Sequence, residues 1–175
     1  MNFLKLSIVI AVMSLTSVWL FADSDRNEKK EKSRREFAPL PEHAAFKTEC
    51  TSCHQLYHPG LLPERSWKKM MDGLQDHFGE NAVLDDNVKA EIEKFLSENS
   101  SDRTETRRGK KFLKMIPANE SPLRISETAY FKRKHHEIAD STYKRKSIGS
   151  AANCLACHPN AEKGYFNEHE VRIPK

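Results

Sequence analysis

Two copies of the pattern C-x-x-C-H constrain this chain more than any other feature, because together they use all four of its cysteines. The copies are CTSCH at residues 50–54 and CLACH at residues 154–158. Two cysteines three positions apart on a helical turn can each form a thioether with one vinyl group of the same porphyrin, and the next histidine is then held beneath the iron. The sequence therefore predicts two covalently attached haem c groups. The predicted attachment residues are Cys50, Cys53, Cys154 and Cys157, and the predicted first axial ligands are His54 and His158.

Other uses of paired cysteines fit the pattern less well. A redox-active dithiol is expected within a βαβ pattern, and neither motif has one around it. Cysteine pairs that share a structural zinc ion are usually separated by about 15–20 residues, whereas 100 residues lie between Cys53 and Cys154. Disulfide bonds would not require a histidine after each pair.

The N-terminus has the features of an export signal. One lysine at position 5 precedes seventeen residues without charge, and Asp23 then opens a charged run. This order is typical of a secretory signal peptide, predicted over residues 1–22 with cleavage after Ala22. An uncleaved membrane anchor is the alternative. In either case we expect the remainder outside the cytoplasm, in the periplasm. Residues 23–36 hold eleven charges in fourteen positions and are predicted to form a disordered spacer.

The rest of the chain is predicted to contain two small haem domains, at 37–98 and 112–175, joined by a polar linker at 99–111. Each half has about 60 residues, a size at which a polypeptide core alone is marginal, so the porphyrin is expected to supply part of the core. A mean hydropathy of −0.72 excludes an integral membrane bundle, and a net charge of +4 gives no case for nucleic-acid binding.

The predicted fold class is mainly α. Helices are expected at 41–53, at 64–77, from Asp85 or Asp86 to Leu96, and at 126–144. The first three resemble the monohaem class I cytochrome c fold, in which the first and last helices cross beside the haem. The second half is expected to be irregular with short helices. A short strand pair between 122–125 and 171–174 is also predicted.

The residue opposite each first axial ligand decides the chemistry, because methionine raises the reduction potential, histidine lowers it, and an open position admits small ligands. For the first haem we favour His77, which shares a helical face with the apolar residues of 64–77. Met70 and Met71 are rivals on that face. His58 lies only four residues after His54 and projects to the same side, so it is a poor candidate for this iron but could reach the other haem.

For the second haem we favour His135, which shares a helical face with Tyr130, Phe131 and Ile138. His136 points about 100° away, so only one of the two should be a ligand. His169 and Met115 are lesser rivals.

Longer strings around these motifs resemble the bacterial dihaem cytochrome c family. They include YHPGLLP at 57–63, RSW at 65–67, DHFGENA at 76–82, ANC leading into the second motif, and RIP at 172–174. The resemblance covers residues 37–175. It implies two haem domains, the first like a monohaem cytochrome c, with low-spin, bis-histidine haems of low potential and an electron-transfer role. Relatives of this kind imply redox partners such as a small monohaem cytochrome or a membrane oxidoreductase. His136 departs from the arginine expected in relatives.

The predicted function is therefore a one-electron carrier and not an enzyme. It needs no bound substrate, nucleic acid or lasting membrane contact. The alternative is a haem enzyme or gas-binding protein with one five-coordinate iron; a further alternative is an electron-entry module of a larger complex. Basic residues at 132–134 and 144–146 could steer an acidic partner, pair with haem propionates, or simply form a solvated helix face.

Overall fold

The computed structural model describes Phe37 and residues 42–175. The predicted signal peptide, 1–22, and the predicted spacer, 23–36, lie outside the described residues. Within the described part, no helix is both long and apolar enough to cross a membrane.

Helices and turns make up the regular structure of the described part, which confirms the mainly α prediction. The α-helices are α1 (Ala44–Thr51), α2 (Glu64–Asp72), α3 (Asp86–Glu98), α4 (Arg107–Lys114), α5 (Ala129–Lys134) and α6 (Asp140–Tyr143). Short 3₁₀ helices lie at Pro59–Leu61, Leu74–Asp76, Ile125–Glu127, Cys154–Ala156, Ala161–Lys163 and Glu168–Glu170.

The predicted strand pair between 122–125 and 171–174 is wrong. Ile125 begins a 3₁₀ helix. In the C-terminal segment, the N–H of Arg172 instead donates a hydrogen bond to the carbonyl of Cys157 at 2.9 Å. The C-terminal segment is thereby tied to the second C-x-x-C-H motif.

The three helices of the first half begin and end at identifiable signals. The Nδ1 atom of His43 accepts a hydrogen bond from the N–H of Phe46 and caps α1. Asp85 stands at the N-terminal boundary of α3, as expected. The prediction of α2 was too long, because this helix ends at Asp72 and Gly73 closes it with a bond to the carbonyl of Met70.

These helices enclose the larger apolar core. α1 and α3 meet through Phe46 and Phe95, whose ring centroids are 5.2 Å apart. α2 contributes Trp67, which is 4% exposed and donates its indole N–H to the carbonyl of Pro59 at 2.7 Å. The contact of first and last helices is the arrangement expected of a monohaem cytochrome c fold. The core lies beside the first motif, because Cys50 packs against it.

Residues 99–111, expected as a linker, are folded against the first half. Ser100 and Ser101 are buried. The N–H of Ser101 donates to the carbonyl of Leu62 at 3.0 Å. Glu64, at the start of α2, forms ion pairs with both Lys68 and Arg103. The connection is thus ordered, and its last residues form the start of α4.

The second half contains short helices, as expected. The predicted helix at 126–144 is divided into α5 and α6, and His135 closes α5 with a bond from its N–H to the carbonyl of Phe131. A second apolar cluster holds Phe37, Leu61, Phe112 and Tyr130. Because this cluster takes residues from both halves, the boundaries of two separate haem domains, 37–98 and 112–175, stay predictions.

Candidate haem sites

The first C-x-x-C-H motif follows directly from α1. Cys50 lies in the last turn of this helix, and the N–H of His54 donates to the carbonyl of Cys50 at 3.4 Å. The imidazole of His54 faces that of His77, with ring centroids 6.1 Å apart and an angle of 27° between the planes. The structure therefore brings together the two residues that the sequence predicts as axial ligands of the first haem.

The second motif has the same arrangement. Its histidine, His158, lies opposite His135, again with ring centroids 6.1 Å apart. Here the planes are nearly perpendicular, at 85°. Rotation of an imidazole about its metal–nitrogen bond leaves that bond intact, so both interplanar angles are compatible with two rings on one ion.

The 6.1 Å separation has a direct chemical meaning. Two imidazoles that ligate one metal ion from opposite sides have centroids about 6 Å apart, since each metal–nitrogen bond is about 2.0 Å and each nitrogen lies about 1.1 Å from its ring centre. Rings in ordinary stacking contact lie closer, as Phe131 and His135 do at 3.9 Å. Both histidine pairs therefore fit a porphyrin iron between them.

Hydrogen bonds orient one imidazole of each pair. The Nδ1 atom of His54 is 2.6 Å from the carbonyl oxygen of Gln55, and that of His135 is 2.9 Å from the carbonyl oxygen of Phe131. A carbonyl oxygen can only accept, so Nδ1 must carry the hydrogen. The lone pair of each ring is then on Nε2, which is free to bind a metal.

The electrostatic environment favours neutral imidazoles, the form that binds metals. Burial, the neighbouring His135 and then Arg108 lower the pKa of His158 to about 4. The pKa of His77 is also lowered, mainly by burial and then by His54 and Arg124. Burial likewise lowers the pKa of His135.

His77 reaches its position by a route different from the predicted one. It lies in a tight turn after the 3₁₀ helix Leu74–Asp76, where its N–H donates to the carbonyl of Glu80 at 2.7 Å. Phe78 has a φ of 61° and Gly79 a φ of 101°. A carboxylate oxygen of Asp76 accepts from the N–H of Gly79 and closes the turn. The candidate ligand is thus held by a turn rather than by a helix end.

The second pair lies in a cavity with mainly apolar walls. Cys154, Cys157, His135 and His158 all line it. The apolar lining residues include Phe131, Ile138, Ile148, Phe166, Val171 and Ile173. Two further wall residues, Phe37 and Leu61, come from the first half of the chain. An apolar cavity lined by two cysteines and a histidine pair suits a covalently attached porphyrin.

The rival ligands lie elsewhere. His136 is exposed, and its Nδ1 is directed at the carbonyl of Arg133, 3.0 Å away. His169 is exposed as well. The buried His58 accepts a hydrogen bond from the N–H of Gly60 through Nδ1 and stacks on Phe37.

The methionine rivals belong to the apolar clusters. Met71 is buried in the larger core, and Met70 packs against it. Met115 packs against the second cluster.

None of the four cysteines forms a disulfide. Burial and the carboxylate of Glu49 raise the pKa of Cys50 to about 11, and burial is also the largest cause of the raised pKa values of Cys154 and Cys157. Reactive thiolates have lowered pKa values instead. These three thiols therefore lack the environment that activates a cysteine for redox exchange.

Two hydrogen bonds that join the segments around the two motifs were missed by sequence reasoning. The hydroxyl of Tyr57 donates to the carbonyl of Ala152 at 2.9 Å, and the N–H of Leu155 donates to the side-chain oxygen of Gln55 at 3.0 Å. The residues that follow the first motif thus hold the start of the second. No signal in the sequence marks these pairs, because 95 and 100 positions separate their members.

Arg124 is another residue whose role the sequence did not indicate. Its guanidinium carbon lies 4.0 Å from the ring centroid of Phe78, the neighbour of His77. An arginine of the second half therefore covers the turn that carries a candidate ligand of the first haem.

Comparisons with known proteins agree with this geometry. A family model described as dihaem cytochrome c matches residues 46–166. The diheme cytochrome c from Rhodobacter sphaeroides is 39% identical, with a TM-score of 0.65, over 74% of this chain and 100% of that one. The diheme cytochrome c from Shewanella baltica OS155 is 35% identical, with a TM-score of 0.62, over 77% of this chain and 95% of that one. No curated protein matches the chain.

Proposed function

The chain belongs to the dihaem cytochrome c family and carries two haem c groups, and on this premise we propose that it is a periplasmic one-electron carrier in which two histidines ligate each iron. The observation that carries the proposal is the pair of 6.1 Å separations, between His54 and His77 and between His135 and His158. Each distance leaves room for one iron and for no further ligand on the axis.

The residues of the chain have defined tasks in this function. The cysteines at 50, 53, 154 and 157 attach the porphyrins, and each histidine pair presents imidazole nitrogens to the metal. When bound, each haem supplies an iron that cycles between Fe(III) and Fe(II), so that one electron is gained or lost without breaking a bond. Histidine in both axial positions favours a low reduction potential.

The same geometry argues against a catalytic haem. Peroxide, a nitrogen oxide or O₂ needs an open position on the iron. His77 and His135 stand where such a molecule would bind, and apolar side chains surround His135. The chain therefore keeps its irons closed and exchanges electrons alone.

The hydrogen bonds between the segments around the two motifs support a two-centre carrier. Tyr57 and Gln55 follow the first attachment site and hydrogen-bond directly to the segment that opens the second. An electron can then pass between the two centres through a short, hydrogen-bonded part of the protein. Two points support the periplasmic location. The signal peptide predicted at 1–22 would export the chain, and haem c is attached to exported chains.

Electron paramagnetic resonance and optical spectra of the ferric protein test the ligand set. We expect two low-spin signals from the wild type. His77→Ala and His135→Ala should each convert one iron to high spin, whereas the matched variant His136→Ala should leave both spectra unchanged. A spectrum unaffected by either ligand substitution would show that the ligand assigned there is wrong.

The catalytic alternative has its own signature. A high-spin iron in the wild type at neutral pH, or turnover of peroxide or a nitrogen oxide, would favour the enzyme.

Mass spectrometry of the exported protein tests the cleavage of the signal peptide and the number of haems. The mass should equal that of residues 23–175 plus two haems. A mass that retains residues 1–22 would indicate a membrane anchor.

A further inference from the structure

Charge is distributed unequally along the described chain. Residues 42–98 contain eleven Asp and Glu against six Lys and Arg, whereas residues 99–175 contain nine against sixteen. Residues 42–98 therefore carry a formal charge of −5 and residues 99–175 a formal charge of +7, with histidine neutral. The modest net charge of the whole chain conceals this separation.

Much of the positive charge of residues 99–175 is gathered on two neighbouring helices. α4 and α5 meet through Phe112 and Tyr130, whose ring centroids are 4.5 Å apart. Arg108 hydrogen-bonds to the hydroxyl of Tyr130, while the guanidinium carbon of Arg133 lies 5.2 Å from its ring centroid. We call the basic residues of these two helices the α4–α5 basic surface: Arg107, Arg108, Lys110, Lys111, Lys114, Lys132, Arg133 and Lys134.

Carboxylates of the protein neutralise only part of this surface. Lys110 forms an ion pair with Glu105, and Lys134 forms one with Glu168. Within the described chain, Arg107, Lys111 and Arg133 have no carboxylate at ion-pair distance, and all three are exposed.

The two helices reinforce each other's positive potential. Arg107 is the largest of the causes that lower the pKa of Lys111, and Arg133 and Lys134 of α5 contribute to the same effect. The composition of the surface differs from the sequence expectation. α4 lies beside α5, whereas the side chains of Arg145 and Ser147 donate hydrogen bonds to the carbonyl oxygens of Pro174 and Lys175 at the C-terminus.

The α4–α5 basic surface borders the second haem site. Arg108 and Lys134 line the same cavity as His135 and His158. Ile173 also lines this cavity and is 46% exposed. Apolar residues beside a cofactor with charged residues around them form the usual pattern of a protein interface, with an apolar centre and a polar rim.

We propose that the α4–α5 basic surface is the docking surface for a redox protein with an acidic face, which exchanges single electrons with the second haem. This inference rests on the proposed function as a carrier. In the exchange one iron changes between Fe(II) and Fe(III) and the partner's cofactor changes by one electron in the opposite sense, with no bond made or broken. Complementary charge accelerates encounter and orients the partner, which suits a short-lived complex.

The experiment uses flavodoxin hydroquinone, an acidic one-electron donor, and the full-length holoprotein in stopped-flow absorbance. The test variant is Arg107→Glu/Lys111→Glu, which changes two exposed residues of α4 that do not line the cavity. The matched control is Lys69→Glu/Lys94→Glu, which makes the same charge change on α2 and α3. Photoreduced lumiflavin, a small neutral reductant, reports on the haems without docking.

We expect the test variant to lose about tenfold or more of the second-order rate with flavodoxin at low ionic strength. Its rate should also depend less on salt than that of the wild type. The control variant should retain the wild-type rate, and lumiflavin should reduce all three proteins equally.

Three results would overturn the inference. Equal loss in both double variants would mean that net charge matters and the surface does not. A changed reduction potential of the second haem in Arg107→Glu/Lys111→Glu would assign these residues to the cofactor. An unchanged flavodoxin rate, with binding to phosphatidylglycerol vesicles or duplex DNA that depends on the two residues, would assign them to a membrane or a nucleic acid. Failure of the wild type to cycle reversibly with mediators would instead refute the carrier function itself.

Discussion

Replacing Gly109 by alanine tests how closely α4 packs against the 59–61 turn. A Cβ atom at this position would lie 2.6 Å from Oγ1 of Thr106 and 3.2 Å from the carbonyl oxygen of Gly60. The Thr106 hydroxyl is the N-cap of α4 and accepts from the N–H of Gly109 at 3.1 Å. The substitution therefore meets both a capping side chain and the backbone of another segment.

The opposing contributions can be compared. Alanine in place of glycine favours a helix by at most about 1 kcal/mol. Moving Thr106 away from the new methyl group forfeits the cap, which costs about 1 kcal/mol. Moving α4 away from the Gly60 carbonyl disturbs a packed contact, at a cost of about 1–3 kcal/mol. We therefore expect Gly109→Ala to reduce the free energy of unfolding of the holoprotein by about 1–3 kcal/mol.

The measurement is denaturant unfolding of the holoprotein followed by circular dichroism. The matched control is Gly73→Ala, because a Cβ there would lie 3.4 Å from its nearest neighbour, the carbonyl oxygen of Lys69, and the φ of −103° is open to alanine. Gly73→Ala should be neutral or stabilise by about 0.5 kcal/mol. Stability of Gly109→Ala equal to or above that of the wild type would refute the packing argument.

Three other substitutions test individual contacts near the haem sites and in the first half of the chain. Tyr57→Phe should cost about 1 kcal/mol in denaturant unfolding, because it removes the bond to the carbonyl of Ala152, which still accepts from a backbone N–H. Trp67→Phe should cost about 2 kcal/mol by the same assay, since it loses buried volume and the bond to Pro59; an unchanged midpoint would contradict either estimate. Glu64 forms ion pairs with Lys68 and Arg103, and hydrogen bonds from these two residues lower its pKa. The ion pairs stabilise the folded protein by under about 1 kcal/mol. This stabilisation is present above the pKa of Glu64 in the unfolded chain and is lost as pH falls through its pKa in the folded protein. The stability difference between wild type and Glu64→Gln should therefore close in acid, and a constant difference would refute this origin.

The haem attachment sites could be predicted from the sequence, because each is a short run of neighbouring residues. The C-x-x-C-H motifs point to attachment sites without reference to the fold, because the spacing of their cysteines matches a single porphyrin. Helical periodicity singled out His77 and His135, and both lie opposite the motif histidines. In the case of His77 the reasoning was incomplete, since the helix ends at Asp72 and a turn closed by Asp76 carries the ring.

The tertiary contacts could not be predicted in the same way. The pairs Tyr57–Ala152 and Arg124–Phe78 join residues that are distant in sequence, and no periodicity records which loops will meet. Residues 99–111 look like a linker by composition, but buried hydrogen bonds such as Ser101 to Leu62 fold them against the first half. A polar segment can thus fold against its neighbours when its backbone N–H and C=O groups find hydrogen-bond partners there.

Phe37 and Leu61, which complete the wall around the second cofactor, precede that cofactor's own binding motif by about a hundred positions. An exchange of gene segments that transplanted residues 112–175 into another cytochrome would deliver the cysteines and histidines but leave this wall behind. Residues 112–175 alone are therefore not a self-sufficient cofactor module, because the wall of their cavity is completed from the other end of the chain.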